Sequence, residues 1–246
     1  MEHFFDTVET IPAGYGFAHF SPYHLGWLLA FAVFTALMSV LYCRSNQKHR
    51  KLIRCIWAVL LVSNELFKLC CLLIGGNYMH KYLPLHLCSI NIFLIAFHAF
   101  KPLKFLDNFL YTLCIPGAAA ALLFPTWATL PAANFMHLHS FTIHILLAAY
   151  PIVLLTAGEI KPQLRYLPKV FLLLAGFAAV ALAANLLLDA NFMFLMYPEA
   201  GTPLCWFEDN LGNHLIGYPV IGIAVVLVMY APILWKNRKR QLSRVS

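Results

Sequence analysis

Residues 23–43 read Tyr-His-Leu-Gly-Trp-Leu-Leu-Ala-Phe-Ala-Val-Phe-Thr-Ala-Leu-Met-Ser-Val-Leu-Tyr-Cys, a run without Asp, Glu, Lys or Arg that stops at Arg44. A helix rises ~1.5 Å per residue, so about 20 apolar residues cross the ~30 Å hydrocarbon core of a bilayer. Six further stretches of this kind follow, near 55–75, 84–100, 108–127, 138–158, 169–189 and 215–235. With 246 residues, 61% hydrophobic and 11% charged, the chain has more apolar surface than a soluble domain can hide. The expected fold is all-α, a polytopic membrane bundle of seven transmembrane helices forming one domain over residues 1–246.

The connectors orient it. Arg44, Lys48, Arg50, Lys51 and Arg54 lie between spans one and two, Lys101 and Lys104 between three and four, and Lys161, Arg165 and Lys169 between five and six. The tail at 236–246 adds Lys236, Arg238, Lys239, Arg240 and Arg244, so of the 17 Lys and Arg only Lys68 and Lys81 fall elsewhere. Seven spans put all these connectors on one side, and the positive-inside rule makes that side cytoplasmic. The N-terminus is expected outside and the C-terminus inside, in a multi-pass protein of the cell membrane, for a bacterium its inner membrane. Residues 1–22 lack the basic start and small-residue cleavage site of a secretory signal and are read as an outer segment. The net charge of +7 is explained by these connectors, which leaves no case for a nucleic-acid partner; membrane lipids are the expected partners. The outer connectors 128–137 and 190–213 read as long and irregular, the second as a lid or re-entrant cover.

Polar groups inside the spans then acquire a depth. Span three opens Leu83-Pro84-Leu85-His86-Leu87-Cys88-Ser89-Ile90-Asn91, and Cys88 lies ~6 Å below its outer end if the helix starts at Pro84. His137, His139, Ser140 and His144 fall in the outer half of span five, Glu65 and Lys68 in span two, Asn185 and Asp189 at the outer end of span six, and His214 at the start of span seven. Only His98 lies toward the inner end. A shared depth on five helices predicts a polar chamber, because such groups are costly in hydrocarbon and face a protein interior or cavity. On an ideal helix His86 and Cys88 diverge by about 200°, whereas Cys88 and Asn91 share a face. Glu65 and Lys68, three apart, are spaced to pair, and Asn185 and Asp189 form an i, i+4 stripe.

Each group also has a plainer reading. Cys88 can be packing, as for the other cysteines in apolar runs. A buried histidine can be held by a backbone carbonyl, and the Glu65–Lys68 pair can tie helices together. None of the histidines shows a metal-ligand or haem spacing, so neither metal nor other cofactor is expected. The seven cysteines are odd in number without C-x-x-C, so no disulfide framework is expected.

Leu83-Pro84-Leu85-His86-Leu87-Cys88-Ser89-Ile90, with Phe141-Thr142-Ile143-His144 and Asn191-Phe192-Met193-Phe194-Leu195, resembles the YwaF family of bacterial integral membrane proteins. That family is distantly similar to the eukaryotic transmembrane protein 164 family of lipid acyltransferases. The resemblance implies a phospholipid acyltransferase with Cys88 as nucleophile, His144 as base and His86 as accessory. His137 and His139 precede His144 here, which leaves the choice of imidazole open. Asn91 and Asn185 are candidates to stabilise an oxyanion, Lys68 to supply a nearby cation, and Glu65, Asp189 and His137 to line the substrate site. Two other readings compete: a binding or transport protein whose path is lined by Glu65, Lys68 and Asp189, and a structural membrane subunit with the polar layer filled by interhelical hydrogen bonds.

Overall fold

A computed structural model of the chain describes residues 2–199 and 202–242, with side chains up to residue 235. Gly201, Arg244 and the basic side chains at 236–240 lie outside that description. Among the described residues all regular structure is helical, and seven helical stretches are long and apolar enough to cross a membrane. These are Pro22–Arg44, Gln47–Ile74, His80–Phe100, Lys104–Leu123, Phe135–Thr156, Leu164–Leu188 and His214–Trp235. The chain divides into two compact units, residues 1–161 and 162–246.

The first unit is built around α6 (Phe135–Thr156), which packs against α1 (Pro22–Arg44), α2 (Gln47–Ile74), α3 (Leu87–Phe100) and α5 (Ile115–Leu123). A helix apolar on all sides belongs inside, and small residues such as Ala148 and Ala149, both fully buried, let neighbours approach closely. The fourth span is α4 (Lys104–Phe109), a π turn at Leu110–Cys114, and α5. Pro116 accounts for the π turn: it cannot donate to the Thr112 carbonyl and its ring crowds that group, so the chain widens and Ile115 N–H bonds Leu110 O instead. Asn46 and Asn134 cap α2 and α6, accepting from His49 N–H at 3.0 Å and from Met136 N–H at 2.8 Å.

The end of this unit where α1 begins is covered by residues 2–20. Phe17 N–H bonds Ala128 O at 2.9 Å, Phe135 N–H bonds Phe4 O at 3.1 Å, and Asn134 Nδ2 donates to the carbonyls of His3 and Asp6 at 2.9 and 2.8 Å. Phe4, Ile11 and Phe17 pack against a core of Trp127, Phe135 and Phe141. Glu9 accepts from Lys81 and from the Tyr82 hydroxyl, just ahead of the Leu83-Pro84 turn. Burial opposes ionisation of Glu9, but hydrogen bonds from Lys81, Thr7 and Tyr82 together hold its carboxyl below the ordinary value of 4.5. The expected outer segment is thus a folded cap. His24, wholly buried beneath it, accepts from Phe20 N–H at 2.9 Å on Nδ1 and donates from Nε2 to Leu122 O at 2.7 Å.

The opposite end carries more polar structure than His98 alone. Glu159, just past α6, accepts from Tyr42 (2.9 Å), Arg54 (2.8 Å) and Arg50 (3.2 Å), tying α1 and α2 to the end of α6. His98, itself buried, bridges Tyr150 at 2.9 Å and Asp107 at 2.7 Å, joining α3, α6 and α4. The sequence reading took Arg50 and Arg54 only as orienting charges.

In the second unit α7 (Leu167–Leu188) and α9 (Gly217–Leu242) are the long helices. The connector between them, expected to be irregular, contains α8 (Pro203–Leu211) and a tight turn at 192–194, with Met193 and Phe194 at positive φ. Side chains clamp that turn. Asn185 accepts from Phe192 N–H at 2.6 Å and donates to Phe192 O at 3.1 Å, while Tyr218 donates to Met193 O at 2.7 Å. His214, on Phe194 O at 3.1 Å, also bonds Glu208 at 3.0 Å.

Candidate active site

The third span enters as a turn, and its helix begins three residues later than the apolar run. Pro84 disfavours helix before it, Leu83 is extended, and Leu85 N–H closes back on Leu83 O at 2.8 Å. His86 occupies the N-cap with extended backbone (φ −72°, ψ 150°), and the first intrahelical bond runs from Ile90 N–H to His86 O at 3.0 Å. His86 is therefore not on the helix, and the 200° separation from Cys88 does not apply to it. Cys88 becomes the second residue of α3. The N–H groups of Leu87, Cys88 and Ser89 precede the first intrahelical bond and are unclaimed by the helix, which puts Cys88 in the turn that carries the partial positive charge of the helix start. Asn91, three residues on and 3% exposed, shares the Cys88 face, and its Oδ1 has no hydrogen-bond partner.

On α6, His144 is set in a single orientation. Nδ1 lies 2.7 Å from Ser140 O, an acceptor, so it carries the ring proton and leaves the lone pair on Nε2. The Trp127 indole stacks on the ring. Among the described residues no hydrogen bond reaches Nε2 of His144, and none joins Cys88 Sγ to an imidazole. Cys114, in the π turn that packs against both α3 and α6, donates its thiol to Leu147 O at 3.4 Å, one turn along α6 from His144. α3, which carries Cys88, packs against α6, which carries His144. His137 is engaged in packing instead, with Nε2 2.9 Å from the Tyr23 hydroxyl and Nδ1 3.2 Å from Leu130 O.

A second polar group stands where α2 meets α6. Lys68 Nζ donates to Glu65 Oε1 at 2.5 Å. His139 Nδ1 is 3.1 Å from both Asn64 O and Asn64 Oδ1, and Asn64 Nδ2 donates to Thr142 Oγ1 at 2.7 Å. Glu65 Oε2 faces His139 Nε2 at 3.7 Å, and no hydrogen bond reaches that buried oxygen. α2, which carries Asn64, Glu65 and Lys68, also packs against α3, the helix that carries Cys88.

Cys88, His86, Asn91, His144, Glu65 and Lys68 all belong to the first unit. Asn185 and Asp189 belong to the second, where Asn185 is spent on the Phe192 turn and Asp189 ends α7 exposed, in the left-handed conformation. Among the described residues no three His, Cys, Asp or Glu side chains are grouped to hold a metal ion. Sequence reasoning missed the place of Cys88 in the first turn of α3 and the His139–Glu65 contact. Pro84 two residues before His86 was the available signal for the first; the second joins two helices whose relative rotation no single sequence states.

The model of the TMEM164 family matches residues 19–230. Neither a curated protein nor a solved structure gives a significant match.

Proposed function

Because the chain belongs to the TMEM164 family, we propose that it is a membrane-embedded acyltransferase that forms a thioester on Cys88. Cys88 Sγ attacks the ester carbonyl of a lipid donor while its proton passes to His144 Nε2. The C–S bond forms, the C–O bond breaks, and the leaving alkoxide takes that proton from His144. The acyl group then moves to an acceptor. The finer affiliation with the bacterial YwaF branch, and a site in the outer half of the bilayer meeting outer-leaflet esters, belong to the same proposal.

The observation that carries it is the place of Cys88 in the first turn of α3. A thiol at a helix start is favoured as a nucleophile, and unclaimed N–H groups beside it are donors for the oxyanion that develops on the attacked carbonyl. The buried Asn91 side chain, one turn away, is available to the same oxygen. His144 has its basic nitrogen free and its other nitrogen fixed, as a general base requires. The missing Cys88–His144 hydrogen bond fits a site that tightens around its substrate.

The test is incubation of the purified protein with a lipid bearing a labelled ester-linked acyl chain. Wild type should acquire hydroxylamine-labile label on the peptide carrying Cys88. His144→Ala should slow labelling by about 10²–10⁴-fold, the usual contribution of a general base. Label that persists in Cys88→Ala overturns the reading.

A further inference from the structure

We infer that Glu65 and His139 form a second proton-accepting station, which seats and activates the hydroxyl that takes the acyl group from Cys88. The inference rests on the acyl-transfer reading above and assigns the half of the reaction that His144 leaves open.

The argument begins with an unmatched pair of acceptors. Both groups that face His139 Nδ1 are oxygens of Asn64, at 3.1 Å. The backbone oxygen of Asn64 can only accept, whichever way the side-chain amide is turned. Nδ1 therefore carries the ring proton and Nε2 the lone pair. Across 3.7 Å stands Glu65 Oε2, buried and without a hydrogen bond. Two lone-pair-bearing atoms facing each other in a buried place lack the donor that belongs between them, and leaving such groups unmet is costly.

Charge narrows the donor. Lys68, bonded to Glu65 Oε1, already balances the carboxylate. A cationic donor such as an ammonium headgroup would leave the site with net positive charge in an apolar interior, which is costly. A neutral hydroxyl fits: water can donate to both atoms, and a lipid alcohol donates its one proton to His139 Nε2.

The chemistry then closes. The hydroxyl donates to His139 Nε2, and its oxygen attacks the thioester carbonyl of acyl-Cys88. A C–O bond forms, the C–S bond breaks, the hydroxyl proton goes to His139, and from there it returns to the departing sulfur. While His139 holds that proton it is an imidazolium 3.7 Å from Glu65 Oε2, so the carboxylate stabilises the charge that appears during attack. Asn64 is a positioning residue that fixes the tautomer.

The experiment uses the full-length protein in mixed micelles with a long-chain 4-nitrophenyl ester as acyl donor. Wild type should give a burst of one equivalent of nitrophenol followed by steady turnover. His139→Asn keeps a donor toward Asn64 and removes the basic nitrogen. It should keep the burst, lose steady turnover by 100-fold or more, accumulate acyl-Cys88 by peptide mass, and be rescued by hydroxylamine, a nucleophile that needs no base. The burst reports that the variant is folded in the same sample. Glu65→Gln should lower turnover about tenfold with the burst intact. Free fatty acid as product identifies water as acceptor, acylated lysolipid identifies a lipid alcohol, and both agree with a hydroxyl station. Preferential amide formation with an amine-bearing lipid, or equal loss of burst and turnover in His139→Asn, overturns the assignment of His139. Absence of any acyl-Cys88 in wild type overturns the acyl-transfer reading itself and this one with it.

Discussion

The Trp127 indole lies flat on the His144 imidazole, with ring centroids 5.2 Å apart and planes 11° from parallel. Together with Ser140 O on Nδ1, this contact leaves the ring one orientation. Trp127 also sits in the core with Phe135 and Phe141, and its buried Nε1–H has no partner. The two substitutions at this position should therefore differ sharply. Trp127→Ala opens a cavity and should cost about 3–5 kcal/mol. Trp127→Phe keeps an aromatic face and removes an unmet donor worth about 1–3 kcal/mol, which offsets the lost volume, so it should fall within about 1 kcal/mol of wild type. Thermal unfolding in detergent measures both, and equal destabilisation would contradict the buried unpaired donor.

Glu159 receives three donors from two other helices, and nothing else in that cluster is negative. Glu159→Gln keeps the shape but leaves Arg50 and Arg54 facing each other around a neutral amide. Hydrogen bonds to a charged group are worth about 1.5–3 kcal/mol, and a loss of that size is expected in unfolding free energy. Both bonds of Arg54, to Tyr42 and to Glu159, leave from the single nitrogen Nη1, so Arg54→Lys, whose one nitrogen carries three donors, should cost less than Glu159→Gln in the same measurement.

The seven spans were legible because run length and charge placement are properties of the sequence alone. The start of α3 was not read, although its cause was in view: hydropathy counts Pro84 and Leu85 as part of the apolar run, while backbone geometry excludes them from the helix. The cap was illegible for a different reason. Its attachment at Phe17–Ala128 and Phe4–Phe135 runs through backbone hydrogen bonds, which carry little side-chain signature. Glu65 and His139 were both visible as membrane polar groups, but their meeting depends on how α2 and α6 are rotated against one another. The Glu65–Lys68 pairing, local to one helix, followed from spacing.

Attachment of the cap should depend on pH through Glu9. Its carboxyl is held below the ordinary 4.5 in the folded protein, so its contribution is fully present above that value and is lost as pH falls through the lowered one. Hydrogen exchange of residues 2–20, corrected for intrinsic rates, should be slow at pH 6 and accelerate below pH ~4.5, the ordinary carboxylate value. Glu9→Gln should exchange faster already at pH 6 and show a flatter profile. A wild-type profile unchanged on acidification would place the anchorage of the cap elsewhere.

Gly16 offers the sharpest test of that anchorage. Its φ of +99° is one that side-chain-bearing residues rarely adopt, and a Cβ added there would stand 2.1 Å from Ala128 O and 2.7 Å from Thr129 Cα. Both obstacles are backbone, so no rotamer change relieves the clash. Gly16→Ala should break the neighbouring bond from Phe17 N–H to Ala128 O and lift Phe17 from its contacts with His137 and Phe141. Gly14 shares the positive φ but has open space around it, so Gly14→Ala bears only the backbone strain, of order 1–3 kcal/mol. Hydrogen exchange should thus rise across residues 2–20 and 128–134 far more in Gly16→Ala than in Gly14→Ala. A membrane-impermeant thiol reagent should reach Cys88 faster in Gly16→Ala if the cap is what closes that end of the unit. Unchanged Cys88 reactivity alongside accelerated exchange would mean that the helices below the cap, and not the cap, exclude the reagent.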